Sequence, residues 1–299
     1  MTRQWRVLLA GFCSMGLVGC GTVRVSTLDP VIRNYADNAR VAYEGGRPEK
    51  AAELYARAME RASLIDAPEE AGRNAYNLAL CHISMGQPIE AQKWLQQAKL
   101  SFGGKPGTSL AKVMVAEAEV ARLGGRPEEA VTQAQAALSL GAAPAEKAQA
   151  ELLLAEMALQ QGDMTASEKH YRKALYRVSK ETNPSVRARL EAVAAKLIQS
   201  SAMKGDAAAC LERRANWLKA AGDYSQMGLS LREAGAAYAA SGRSAVAFEL
   251  LARATVSLKS AGQSMQALNS AQQAAKLAQE LNDPSHVERA AILLEGMKQ

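Results

Sequence analysis

Small and apolar residues recur along this chain at three- and four-residue spacing, the period of helices that bury one face. The runs are broken at intervals by a glycine followed by a proline or a small polar residue. Gly46-Arg47-Pro48-Glu49-Lys50-Ala51 and Gly125-Arg126-Pro127-Glu128-Glu129-Ala130 nearly repeat one another, and Gly86-Gln87-Pro88-Ile89-Glu90-Ala91 lies between them. Gly162-Asp163-Met164 and Gly242-Arg243-Ser244 follow. A glycine of this kind closes one helix, and the proline or polar residue behind it opens the next. The pattern predicts an all-α chain of about 14 helices in seven hairpins, each touching only its neighbours.

Composition agrees. Alanine supplies 60 of the 299 residues and proline only 9, which favours helices over a β-sandwich or barrel. With 48% hydrophobic and 5% aromatic residues, the chain can bury a core built mostly of small side chains.

Aligned on their turn glycines, the breaks place small residues at three fixed offsets. Before the turn stand Ala39, Ala79, Ala118, Ala155 and Gly235. After it come Ala51, Ala91, Ala130, Ser167 and Ala247, then Ala58, Ala98, Ala137, Ala174 and Ala254. Tyr55, Leu95, Ala134, Tyr171 and Leu251 fall between the last two sets. This arrangement resembles the tetratricopeptide repeat, a helix–turn–helix unit of 34 residues. The resemblance implies an α-solenoid of five clear units with a degenerate C-terminal part, over residues 30–299. Small side chains at those offsets let paired helices approach closely.

There are departures. Successive turn glycines at 46, 86, 125 and 162 are 40, 39 and 37 residues apart, so each second helix is longer or each connection wider. Residues 99–110 read as the clearest loop, loosening the stack between the second and third units. Gly222, Gly242 and Gly262 then recur every 20 residues. They predict helices near 207–221, 223–240, 243–260 and 263–281, with a last one from Asn282-Asp283-Pro284 to about 297.

The amino terminus carries a different signal. Arg3 and Arg6 precede an apolar run from Val7 to Val18, too short to span a bilayer. Leu17-Val18-Gly19-Cys20 resembles the bacterial lipobox. That resemblance implies removal of residues 1–19 as a signal peptide, acylation of Cys20, and a short tether over residues 20–29. Two or more acyl chains make a stable membrane anchor. Gly21 stands where an Asp retains many such lipoproteins in the inner membrane, so the expected location is the outer membrane, facing the periplasm. A soluble secreted protein with a chance Leu-Val-Gly-Cys is the other reading. Loss of Arg3 and Arg6, with no acid in 1–19, takes the formal net charge from +6 to +4. That does not suggest a nucleic-acid partner.

No converging catalytic set is visible. Cys81 and Cys210 read as core thiols, some three units apart and too distant for a disulfide. His82, His170 and His286 have no His or Cys at i+3 or i+4, so neither a metal nor a cofactor is expected. There is no G-x-x-x-x-G-K-[ST] phosphate loop and no G-x-S-x-G elbow.

The repeat resemblance implies a groove lined by the first helix of each unit. Its candidate residues are Arg33, Arg40 and Tyr43 in the first unit; Arg73, Tyr76, Asn77, Leu80 and Ile83 in the second; and Lys112 and Arg122 in the third. Glu119, Leu152 and Glu156 occupy corresponding positions further on. Of the five-residue clamp by which some relatives hold a peptide carboxylate, Asn77 and Lys112 match; Ala36 and Ala116 do not, and Arg40 replaces an asparagine. An apolar floor with basic neighbours would suit a peptide carrying an apolar anchor and an acid. The alternative is that Tyr76 and Leu80 pack between helices while the arginines are solvated.

Three functions are open on this reading. The first is a non-catalytic lipoprotein adaptor for envelope proteins or peptides, in company such as pilus secretin, outer-membrane assembly or peptidoglycan machinery. The second is a cell-wall hydrolase or transferase whose polar groups converge from different helices. The third is a self-associating scaffold that uses an unpaired face of the last helix at Val287, Ala290, Ala291 and Leu294.

Overall fold

The computed structural model describes residues 29–104, 106–179 and 182–297, and among these every regular element is an α-helix. There are fourteen: α1 (Pro30–Glu44), α2 (Pro48–Leu64), α3 (Pro68–Ser84), α4 (Pro88–Ser101), α5 (Thr108–Leu123), α6 (Pro127–Ser139), α7 (Pro144–Gln160), α8 (Met164–Tyr176), α9 (Pro184–Gln199), α10 (Ala207–Ala220), α11 (Tyr224–Ala240), α12 (Ser244–Ser260), α13 (Ser264–Leu281) and α14 (Pro284–Gly296). The proposed signal peptide, the lipobox with Cys20 and the tether up to residue 28 lie outside the described residues.

One turn geometry joins most of the helices. Eight connections are three residues long, and the middle residue has left-handed backbone, as at Gly46 (φ 71°). In each, the next residue's N–H donates to the carbonyl five residues back at 2.9–3.0 Å, as Arg47 does to Ala42 and Gln263 to Leu258. This satisfies a carbonyl that the helix end leaves open and sets the angle at which the next helix departs. Asp66 (φ 53°) takes the glycine's place between α2 and α3. Proline at the first helical turn or an Asp or Asn cap then starts many of the helices; Asp163, Asp206 and Asp223 accept from the N–H groups of Ala166, Ala209 and Gln226.

The fifteen small residues mark the tightest packing. Fourteen are 0% exposed, and Gly235 is also buried. Hydrophobic clusters run along the stack in sequence, each drawing on a few consecutive helices, as a repeat array requires. The repeat length comes mainly from long helices, since α2, α3 and α7 have 17 residues and α5 has 16; from Gly46 to Gly162 only the α4–α5 and α6–α7 connections exceed three residues. The second helices α4, α6 and α8 have 14, 13 and 13 residues, while α2, with 17, is the long one.

Three expectations are corrected. The loop at 99–110 is shorter than the sequence suggests: α4 continues to Ser101 and α5 begins at Thr108. It does not break the stack, because Val113, Ala116 and Val120 of α5 share a core with Ala75, Ala79 and Leu95, and Phe102 folds back over Gly72. Contacts are also not confined to neighbouring hairpins, since side chains of α5 and α9 meet (below). Finally, α9 and α10 form a hairpin of the same kind that had no turn glycine to announce it. Ser201 (φ 62°) takes that place, and four further residues precede the Asp206 cap.

Candidate functional site

The odd-numbered helices form one layer: α3 touches α5, α5 touches α7, and α7 touches α9. The predicted groove residues lie on this layer, and the structure sorts them into three groups.

The first group is tyrosines and their neighbours. Tyr43 of α1 is exposed, while Tyr76, Asn77, Leu80 and Ile83 of α3 are half-buried. Tyr76, Leu80 and Ile83 rest against the core shared by α3, α4 and α5, so much of the expected apolar floor is interhelical packing. Burial raises the Tyr76 phenol, and the nearby Glu146 carboxylate and Tyr43 push it further. Partial burial likewise raises Tyr43, and Cys81 adds to it. Tyr43, Tyr76 and Glu146 are thus near enough to feel one another's charge from α1, α3 and α7. Lys112 of α5 closes the group at 3.7 Å from Glu146.

The second group is the arginines of the first two units. Arg33 is exposed. Arg40 pairs with Glu44 one turn away (3.1 Å), and Arg73 with Glu69 (2.6 Å) and Glu70 (3.1 Å). Such same-helix pairs are weak at the surface. They still offset part of the positive charge expected in this groove.

The third group lies deeper in the stack and was legible only in part. Arg122 binds Glu119 of its own helix, and Glu119 lies 3.2 Å from Arg189 of α9. Arg189 also donates to both oxygens of Glu156 on α7, at 2.7 and 2.5 Å. Burial alone would push the Glu119 carboxyl up and the Arg189 guanidinium down. Their opposite charges win: Glu119 sits below the usual range and Arg189 above it. Arg122 is therefore in the groove layer but already neutralised. The sequence pattern placed Glu119 and Glu156 there; Arg189 escaped because its hairpin lacked the turn signal.

The remaining reactive side chains are enclosed or separate. Cys81 and Cys210 are free and buried, and burial pushes the Cys81 thiol up to about 12, so it stays protonated and unreactive. His170 pairs with buried Glu151 (2.6 Å), His286 with the capping Asp283 (2.5 Å), and His82 with Gln87 across a turn (2.7 Å). Among the described residues no three His, Cys, Asp or Glu side chains are grouped to hold a metal ion, and no helix is long and apolar enough to cross a membrane.

No family model matches the chain, and no curated protein matches it. Solved structures do. A Rap protein complexed with competence and sporulation factor aligns over 89% of this chain and 74% of its own, at 15% identity and a TM-score of 0.59. A signal-transduction ATPase with a tetratricopeptide repeat sensor, from Pyrococcus horikoshii, aligns over 89% of this chain at 14% identity and a TM-score of 0.61; this chain spans only 42% of that protein. The apo form of RapI aligns over 89% of this chain and 97% of its own, at 13% identity and a TM-score of 0.56. At these identities the likeness is one of fold: the chain is an all-α solenoid of tetratricopeptide type.

Proposed function

We propose that this protein is a non-catalytic adaptor of the bacterial cell envelope. Lipidated Cys20 anchors it at the outer membrane, and a protein partner is held on the odd-helix layer facing the periplasm. The observation that carries the adaptor reading is that layer itself, where the Lys112–Glu146 pair bridges α5 and α7 at 3.7 Å and Tyr43 and Tyr76 stand on the two preceding hairpins. An aromatic residue beside a lysine and a carboxylate can grip a partner through one apolar and two charged contacts. The anchor rests on the basic start, the apolar run and Leu17-Val18-Gly19-Cys20. The solenoid's likeness to a Rap protein complexed with competence and sporulation factor supports a binding role.

Two arms test this in the native host. Cys20→Ser should abolish incorporation of an alkynyl fatty acid and release the protein from the membrane fraction; unchanged labelling would refute the anchor. Crosslinked capture from cell envelopes, run with wild type and with Tyr43→Glu/Lys112→Glu, should show a partner that only the wild type retains. Lys112 is exposed and Tyr43 is 38% exposed, so neither substitution falls in the closed core. Identical partner sets from the two proteins would refute the odd-helix surface.

A further inference from the structure

A broad concavity lies at the other end of the molecule, where the last turn of α10, the start of α11, the middle of α12 and α14 enclose a trough of about 1000 Å³. Large apolar side chains on a protein surface usually stand singly. Here Tyr224, Val256 and Ile292, from three helices, are 57%, 59% and 62% exposed and line one trough over Met227 and Leu231. Of the last-helix face that the sequence suggested, Val287 and Ala291 are exposed and Leu294 is half-buried. Ala290 is buried in the core, and Ile292 and Leu293 are the α14 residues that line the trough with their apolar side chains.

The rim is positive. Lys219 and Arg253 form no ion pair among the described residues, whereas Arg289 is paired with Glu249. The nearby carboxylates are engaged: Asp223 caps α11 by accepting from the Gln226 N–H (2.9 Å), and Glu249 is held by Arg289 (2.6 and 2.9 Å). A complementary occupant carries apolar side chains flanked by acids.

Its backbone conformation follows from the walls. They are helical and present no strand edge, so an extended segment would have only side chains such as Ser257 and Ser260 to pair with its main chain. A helix satisfies its own. At roughly 10 Å in diameter and 5.4 Å per turn, the trough volume corresponds to about two helical turns.

We propose that this trough is a second docking surface, which takes an acidic amphipathic helix of a partner protein. Apolar side chains at i, i+3 or i+4, and i+7 fill the space between Tyr224, Val256 and Ile292, and flanking carboxylates meet Lys219 and Arg253. This surface is separate from the odd-helix groove and stands or falls independently of it.

The test is selection of a displayed library of random peptides on the full-length protein in detergent, followed by fluorescence anisotropy with the enriched peptides. The expected winners carry that apolar spacing and net negative charge. They should bind Val256→Glu/Ile292→Glu at least about tenfold more weakly and Lys219→Glu/Arg253→Glu several-fold more weakly, while Tyr43→Glu leaves them unchanged. Val256→Ser/Ile292→Ser gives a milder pair should the first fail to fold. Failure to enrich, neutral or basic winners, or equal binding to the trough variants would overturn the proposal. So would light scattering that shows a dimer dissolved by the same substitutions, since the occupant would then be a second copy of this chain.

Discussion

Arg189 of α9 grips Glu156 of α7 with two N–H···O bonds, and its guanidinium lies 3.2 Å from Glu119 of α5. One side chain therefore ties three first helices of successive hairpins together in the layer proposed to hold the partner. The three side chains are 31%, 19% and 20% exposed, so solvent screens them only in part. Replacing Arg189 with Met leaves two carboxylates facing each other without their shared cation. The expected loss is about 2–4 kcal/mol, as for other half-enclosed pairs deprived of one partner. Urea unfolding of Arg189→Met should show it, and adding Glu119→Gln and Glu156→Gln should restore much of the stability. A midpoint equal to wild type would mean the network is only a surface arrangement.

Gly235 makes a comparable tie by having no side chain. A Cβ there would stand 2.8 Å from Leu251 Cγ and 3.2 Å from the Ala247 carbonyl oxygen. The second contact is backbone, so α11 and α12 would have to separate. Gly235→Ala is expected to cost about 1–3 kcal/mol. Gly46→Ala offers a contrast, because open space surrounds that position and only its φ of 71° resists a side chain. About 1 kcal/mol is expected there. Thermal melts of the two variants should rank in that order, and the reverse ranking would contradict the close α11–α12 contact.

The buried thiols allow a chemical check. Cys81 and Cys210 are free and enclosed, and burial raises both thiols, Cys81 to about 12. Neither should react with iodoacetamide near neutral pH in the folded protein, and both should react in urea. Rapid labelling of Cys81 under native conditions would show that the α1–α4 core opens readily.

Much of this architecture can be read from the amino acids because the turns are stereotyped. A glycine in left-handed backbone followed by proline or a capping residue leaves a local mark, and small residues at the helix crossings leave a periodic one. The C-terminal helices fall within a residue or so of the positions that Gly222, Gly242 and Gly262 imply. Asp66, Ser201 and Asn282 are the exceptions, adopting the same backbone without a glycine, so the α9–α10 hairpin left no comparable mark. The groove was less legible. Helical position placed Arg40, Arg73 and Arg122 on the correct layer but could not show that nearby carboxylates engage them. Arg189 and the trough at Val256 arise from helices far apart in sequence, and their meeting depends on tertiary packing that local patterns do not encode.

Glu117 of α5 gives a prediction in pH. Its side chain is only 5% exposed; Oε2 has no hydrogen-bond donor, and the nearest cation, Lys99 Nζ, is 3.8 Å away. Burial raises its carboxyl above the usual range; Lys99 opposes this and Glu129 adds to it. The folded state therefore holds this proton more tightly than the unfolded chain does. Between the ordinary Glu value near 4.3 and the raised folded value, the native protein carries the extra proton. Its stability falls as pH rises through that window. Glu117→Gln removes the ionisation. The variant should be more stable than wild type at pH 7.5, by roughly 1 kcal/mol, and close to it at pH 4. Subtracting the two urea midpoints at each pH cancels groups that titrate in the opposite sense, such as Asp29, whose Arg61 hydrogen bond holds it low. A variant less stable than wild type at pH 7.5 would mean that the Lys99 attraction outweighs the cost of burying the charge.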